Sequence, residues 1–262
     1  MENEHRNEGL SIVGGIRCFL WIILMHVLGV IFFRLVGSVM GWVGLAALRT
    51  HMWIVEEFAV KVFVLWRLSV KRGLDLSMDA QGALHLFLPA LLLVLGTRLL
   101  FDNTLALFLL RIEPARWLDE AVGEMLELPL PVVFLVFLTI PLVEEIIFRG
   151  FFLKRLLPRY GPATAIFFSA LLFGVIHLNL HQAVNAFVLG IVFGIIYYKT
   201  GSLLLCIGAH LANNLFVPFV SVIIPDYLTT ASVVQLAAGA CTLLLGVWLL
   251  KKRMIEPGGI TA

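Results

Sequence analysis

Residues 161–250 read GPATAIFFSALLFGVIHLNLHQAVNAFVLGIVFGIIYYKTGSLLLCIGAHLANNLFVPFVSVIIPDYLTTASVVQLAAGACTLLLGVWLL. Within this stretch only Lys199 and Asp226 carry a charge. A soluble chain of that length would carry about twenty charged side chains. A spanning helix needs about 20 apolar residues. Asn179 and Gln182, the run Lys199–Thr200–Gly201, and Pro225–Asp226 break the stretch into candidate spans at 163–179, 183–198, 203–224 and 229–250. Breaks this short are turns between antiparallel helices, not domain linkers.

Outward toward the N-terminus, 131–150 and 83–101 read as further spans. Residues 18–48 are apolar but interrupted by Arg34 and by four glycines between 29 and 44, so they form one long tilted helix or two shorter ones. Residues 51–69 hold Glu56, Glu57 and Lys61; they are a span with polar groups turned to the bundle, or a helix lying partly in the interface. The charged stretch 102–128 is expected outside the membrane, with an amphipathic helix in it.

The composition agrees. Of 262 residues 61 % are hydrophobic and 14 % charged, against about 25 % charged in soluble domains. This excludes a disordered, fibrous or ordinary soluble protein. A net charge of +2 is no footprint for nucleic acid. Cys18, Cys206 and Cys241 all lie in apolar stretches, where they serve as small buried hydrophobes rather than a disulfide framework. The polar first seventeen residues read as a short cytoplasmic tail and not as a cleaved signal.

Basic residues orient the spans. Placing Lys71, Arg72, Lys154, Arg155, Arg159, Lys199, Lys251, Lys252 and Arg253 on the cytoplasmic side leaves the turns near 180 and 226 external and free of Lys and Arg. Arg111 and Arg116 are mild exceptions. The expected fold is all-α: a polytopic membrane helical bundle of about eight transmembrane helices, both termini cytoplasmic, in the cell (inner) membrane. Its expected divisions are an N-terminal membrane region with an interfacial segment (1–128), a helical core (129–250) and a cytoplasmic tail (251–262).

Charged and polar groups inside a bilayer are expensive and mark function. Three clusters stand out. In PLVEEIIFRGFFLKR (141–155), Glu145 and Arg149 are four residues apart with the acid first, the favourable order for a helical ion pair. Glu144 points elsewhere and remains a lone carboxylate, unless both acids are simply solvated at the interface. In LLFGVIHLNLHQ (171–182), Phe173, His177 and His181 repeat every four residues and would share one helix face. They are core histidines, a site, or metal ligands without the acid of HExxH; His181 lies at the expected helix end. In CIGAHLANNLF (206–216), His210 and Asn214 share a face beside Asn213. Helix–helix hydrogen bonding is the plain alternative there. If the clusters meet, they offer a carboxylate, imidazoles and a carboxamide in a protected cavity. That set suits general-base activation of water with oxyanion stabilisation, or a divalent metal that activates water.

Taken in order, Glu144-Glu145-Ile-Ile-Phe-Arg149 resembles the EExxxR motif of the CPBP family, the CAAX-protease and bacteriocin-processing (Abi) intramembrane endopeptidases. Phe173-Gly-Val-Ile-His177 resembles its FxxxH motif, and His210-Leu-Ala-Asn-Asn214 its His-then-Asn motif. The resemblance spans roughly 129–220. It implies that Glu144 activates the hydrolytic water, that His177 helps hold it, and that His210 and Asn214 form the oxyanion hole. Glu145 and Arg149 would be structural, Phe173 and His181 site-lining. It implies an intramembrane peptide hydrolase acting on a membrane protein or lipidated peptide near its C-terminal or membrane-proximal part, in the lipid bilayer and without nucleic acid. No cofactor is expected, because HExxH is absent and one carboxylate is unpaired; zinc is the open alternative. The competing readings are a transporter, for which repeats and broken helices are lacking, and a non-catalytic immunity or scaffold partner. Gly190-Ile-Val-Phe-Gly194 is a GxxxG expected to serve internal packing.

Overall fold

The computed structural model describes residues 9–42, 52–72, 84–112, 129–177, 179–223 and 232–255, and among these every regular element is helical. The chain divides into two compact units, Met1–Asp75 and Leu76–Ala262. In the first, α1 (Ile12–Trp42) and α2 (Met52–Arg72) pack together. Over its described part, residues 18–42, the long apolar run is thus one helix, and Gly29 lets Val60 of α2 lie against it.

The second unit contains α3 (Leu84–Asp102), the short α4 (Leu105–Ile112) and α5 (Leu130–Glu145), which continues as a π-helical segment, Ile146–Leu153. Then follow α6 (Lys154–Val175), α7 (Leu180–Thr200), α8 (Leu203–Ile223) and α9 (Val233–Ile255). Among the described residues, four helices are long and apolar enough to cross a membrane: Ile12–Trp42, Leu84–Asp102, Leu180–Thr200 and the Val233–Arg253 part of α9. The protein is an integral membrane helical bundle, with large apolar side chains such as Phe134, Phe167 and Leu244 on its outer surface.

Local chemistry sets the breaks. Gly161 sits at φ 71°, between Pro158 and Pro162, and divides α6 at a kink. Only glycine takes that conformation at little cost. Gly201, at φ 65°, ends α7 in the left-handed cap, its N–H returning to Tyr197 O. Ser202 Oγ then accepts the N–H of Leu205 and starts α8. Asn179 is extended and its side chain accepts the N–H of Gln182, so a new helix begins there. That overturns the single helical face expected for Phe173, His177 and His181. Phe173 lies in α6, His177 in the turn after it, and His181 in the first turn of α7. Asn179, one of the residues read as a break between spans, is the cap that begins the next helix.

Two glycine seams hold the bundle. A Cβ on Gly190 would meet Ala170 Cβ at 3.0 Å, and one on Gly194 would meet Ile166 Cγ2 at 2.8 Å. The GxxxG therefore serves packing of α7 on α6, as expected. Gly96 of α3 faces the backbone of Leu243 in α9, and Gly246 of α9 faces that of Leu93. Both ends of this antiparallel pair are tied: Arg253 Nη1 donates to His85 O, and the N–H of Ser232 donates to Asn103 Oδ1. The segment 102–128 lies only partly within the described residues. Its helix, α4, packs Ala106 and Leu109 on Phe101, Val184 and Val188. Asp102 is not outside the helix; it is the last residue of α3, buried, and paired with Arg98 at 2.8 Å.

Candidate active site

The two adjacent glutamates at the end of α5 face different surroundings. Glu145 is fully buried. Its Oε1 accepts from Arg149 Nη1 at 2.9 Å and from His210 Nδ1 at 2.8 Å. Arg149, equally buried, also donates from Nη2 to Gly190 O on α7 at 3.0 Å. Its guanidinium lies over the rings of Phe173 (4.7 Å) and Phe193 (5.2 Å). A charge this deep costs several kcal/mol unless paired and hydrogen-bonded, and Arg149 is both. Glu144 keeps 19 % side-chain exposure, with Oε2 3.7 Å from His210 Nε2. That distance is too long for a hydrogen bond but close enough for the two groups to act on one bound molecule.

The backbone changes form directly after the two glutamates. After Glu145 the helix widens to the π form, and the N–H of Lys154 reaches back to Arg149 O. Ser169 Oγ on α6 donates to Phe148 O at 2.7 Å and fixes this wider turn. Segments of π-helix are rare and gather at functional sites.

The aromatic rings join the three clusters. Phe173 touches His177 (5.2 Å between ring centroids), His210 (5.7 Å) and Phe148 (5.0 Å). The His210 ring also stacks on Phe193 at 4.9 Å. His177 Nδ1 lies 2.8 Å from Phe173 O. A carbonyl only accepts, so this nitrogen carries the proton and Nε2 of the neutral ring is left as an acceptor. On α8, Asn214 lies one turn beyond His210, and Asn213 Nδ2 donates to Asn214 Oδ1 at 3.1 Å. The His181 ring meets the edge of Phe101 on α3 at 5.9 Å. Among the described residues no three His, Cys, Asp or Glu side chains are grouped to hold a metal ion.

Several contacts were not visible in the sequence. The Glu145–His210 bond crosses 65 residues, and no local spacing announces it. Phe193 and Ser169 are an ordinary aromatic and an ordinary hydroxyl in apolar runs. Arg98–Asp102 did leave a signal, two opposite charges four residues apart, but the expected span end at 101 cut the pair in two.

A buried carboxylate–arginine–histidine network beside a half-exposed glutamate, inside a membrane helical bundle, has the makings of a membrane-embedded hydrolase. Residues 126–216 match the family model described as Type II CAAX prenyl endopeptidase Rce1-like. This segment carries all three motifs, and its match supports a membrane peptide hydrolase of the CAAX-protease type. No curated protein and no solved structure shows significant similarity to the chain.

Proposed function

We propose that the protein hydrolyses a peptide bond near the C-terminal or membrane-proximal part of a membrane-associated or lipid-anchored substrate, with Glu144 as the general base. The observation that carries this reading is the division of labour between the two glutamates. Glu145 is committed to Arg149 and His210, and Glu144 is left half-exposed beside His210. The family described for the matched segment takes prenylated CAAX proteins, and a prenylated C-terminal peptide is the substrate class favoured here.

In the proposed reaction a water lies between Glu144 and His177. His177 Nε2 accepts one of its hydrogens, and Glu144 removes the other as the oxygen attacks the substrate carbonyl. His210 and Asn214 donate to the oxyanion, each good donor contributing about 3–4 kcal/mol. For His210 to donate from Nε2 while Nδ1–H is held by Glu145, the ring must carry both protons at that step. Glu144 then returns its proton to the leaving amine. No acyl-enzyme forms, and this scheme invokes no metal. Phe173 lines the site as the ring on which His177 and His210 rest.

The test compares protein termini in membranes of the native host carrying the chain or its Glu144→Gln variant at matched abundance. Termini that vanish with the substitution identify substrate and cut site. Identical sets across growth conditions sink the proposal. Once a substrate is found, a chelator arm on purified protein should leave the rate unchanged. Loss of rate that zinc restores would replace the metal-free scheme.

A further inference from the structure

We infer that Asn213 is a positioning residue for the reaction, one that decides which end of the Asn214 carboxamide faces the substrate. The inference rests on the hydrolase reading of this site. A carboxamide has two unlike ends, and only its NH2 group can stabilise a developing oxyanion. Asn214 is half-buried and lies on the His210 face of α8, where either end could be presented. Asn213 breaks the tie. Its Nδ2 donates to Asn214 Oδ1 at 3.1 Å, so the oxygen is occupied and the NH2 is left for the site.

Asn213 is itself 4 % exposed, and its Oδ1 is buried with no hydrogen-bond partner. A buried polar atom without a partner is destabilising, so an apolar residue would suit this position better for stability alone. A hydrogen bond between side chains of neighbouring helical residues is also no stabiliser of the kind made every three or four positions. What the contact does achieve is orientation. In the reaction the N–H of Asn214 donates to the oxyanion and no proton leaves it, so Asn213 exchanges nothing and acts only through its neighbour.

Substitutions at position 213 separate orientation from packing. Asn213→Asp is nearly isosteric, but an ionised carboxylate only accepts. It would draw in the NH2 of Asn214 and turn the oxygen toward the substrate. Asn213→Ser keeps a donor that can reach a neighbouring side chain. The measurement is kcat and KM per folded molecule in detergent or nanodiscs, using a substrate found by the comparison of termini, with Asn214→Ala as the reference. Removing one oxyanion donor lowers kcat by about 100- to 1,000-fold. Asn213→Asp is expected to approach the loss of Asn214→Ala with KM little changed, and Asn213→Ser to recover most of the rate. If Asn214→Ala loses kcat and Asn213→Asp does not, the inference is overturned while the hydrolase reading stands. If Asn214→Ala keeps full kcat, the oxyanion role itself falls. Should Asn213→Asp fold poorly, Asn213→Ser and Asn213→Ala still decide the matter: equal rates per folded molecule in both would show that the donor is unimportant.

Discussion

Arg149 is the residue on which the site's architecture turns. It has no exposure, and its partners come from α5, α7 and two aromatic rings. Removing one member of a buried pair leaves the other charge uncompensated, at about 3–5 kcal/mol. Arg149→Ala should therefore lower the abundance and thermal stability of the protein in detergent. Glu144→Gln, at a half-exposed position, should leave the melting temperature nearly unchanged and remove activity. A stable Arg149→Ala protein, or a Glu144→Gln protein that unfolds early, would reverse the two roles. The helical period alone indicated this pairing, because Glu145 and Arg149 lie on one helix. It gave no hint that His210 shares the same carboxylate oxygen, since one sequence does not say which faces of two helices meet.

Among the helices, close backbone approach matters more than side-chain volume. The seam between α3 and α9 passes through Gly96, where an added Cβ would lie 2.5 Å from the Leu243 backbone nitrogen. Backbone cannot step aside as a flexible side chain can, so Gly96→Ala must push two helices apart. Overpacking of this kind costs about 1–3 kcal/mol. Gly150 in the π segment makes the contrast: a Cβ there meets Leu203 Cδ2 at 3.6 Å, an ordinary contact. Thermal unfolding in detergent should show Gly96→Ala clearly destabilised and Gly150→Ala close to wild type. Equal melting temperatures would mean that the seam is not tight. The sequence showed where most helices lie, through runs of apolar residues broken at Asn179 and at Lys199–Thr200–Gly201. The π turn left no such mark, because π and α segments draw on the same apolar residues and differ only in which carbonyl each N–H finds.

At the scale of the second unit, the ties along α3 and α9 give the bundle two distinct ends. His85 and Arg253 meet at one end, Asn103 and Ser232 at the other. The contact of Phe101 with His181 makes α7 antiparallel to α3, so Lys199 falls at the end with Arg253 and Asn179 at the opposite end. Because α6 and α7 are joined through Asn179, Lys154, Arg155 and Arg159 belong with Lys199 and Arg253. Within this unit Lys154, Arg155, Arg159, Lys199 and Arg253 thus collect at one end, and among its described orienting residues Arg111 is the exception. By the excess of Lys and Arg in cytoplasmic segments, that end is predicted to face the cytoplasm. The prediction is checked with a membrane-impermeant maleimide on sealed vesicles, in a Cys241→Ser background that removes the one exposed thiol. Arg159→Cys should react only when the cytoplasmic face is accessible, and Leu180→Cys, half-exposed in the opposite turn, only from the other side. Reversed labelling would invert the bundle and put the turn bearing His177 at the cytoplasmic face. Labelling of both positions from one side would contradict the antiparallel α6–α7 pair itself. The outcome also bears on substrate, because it sets which compartment lies next to His177 and which next to the basic end beyond the π segment.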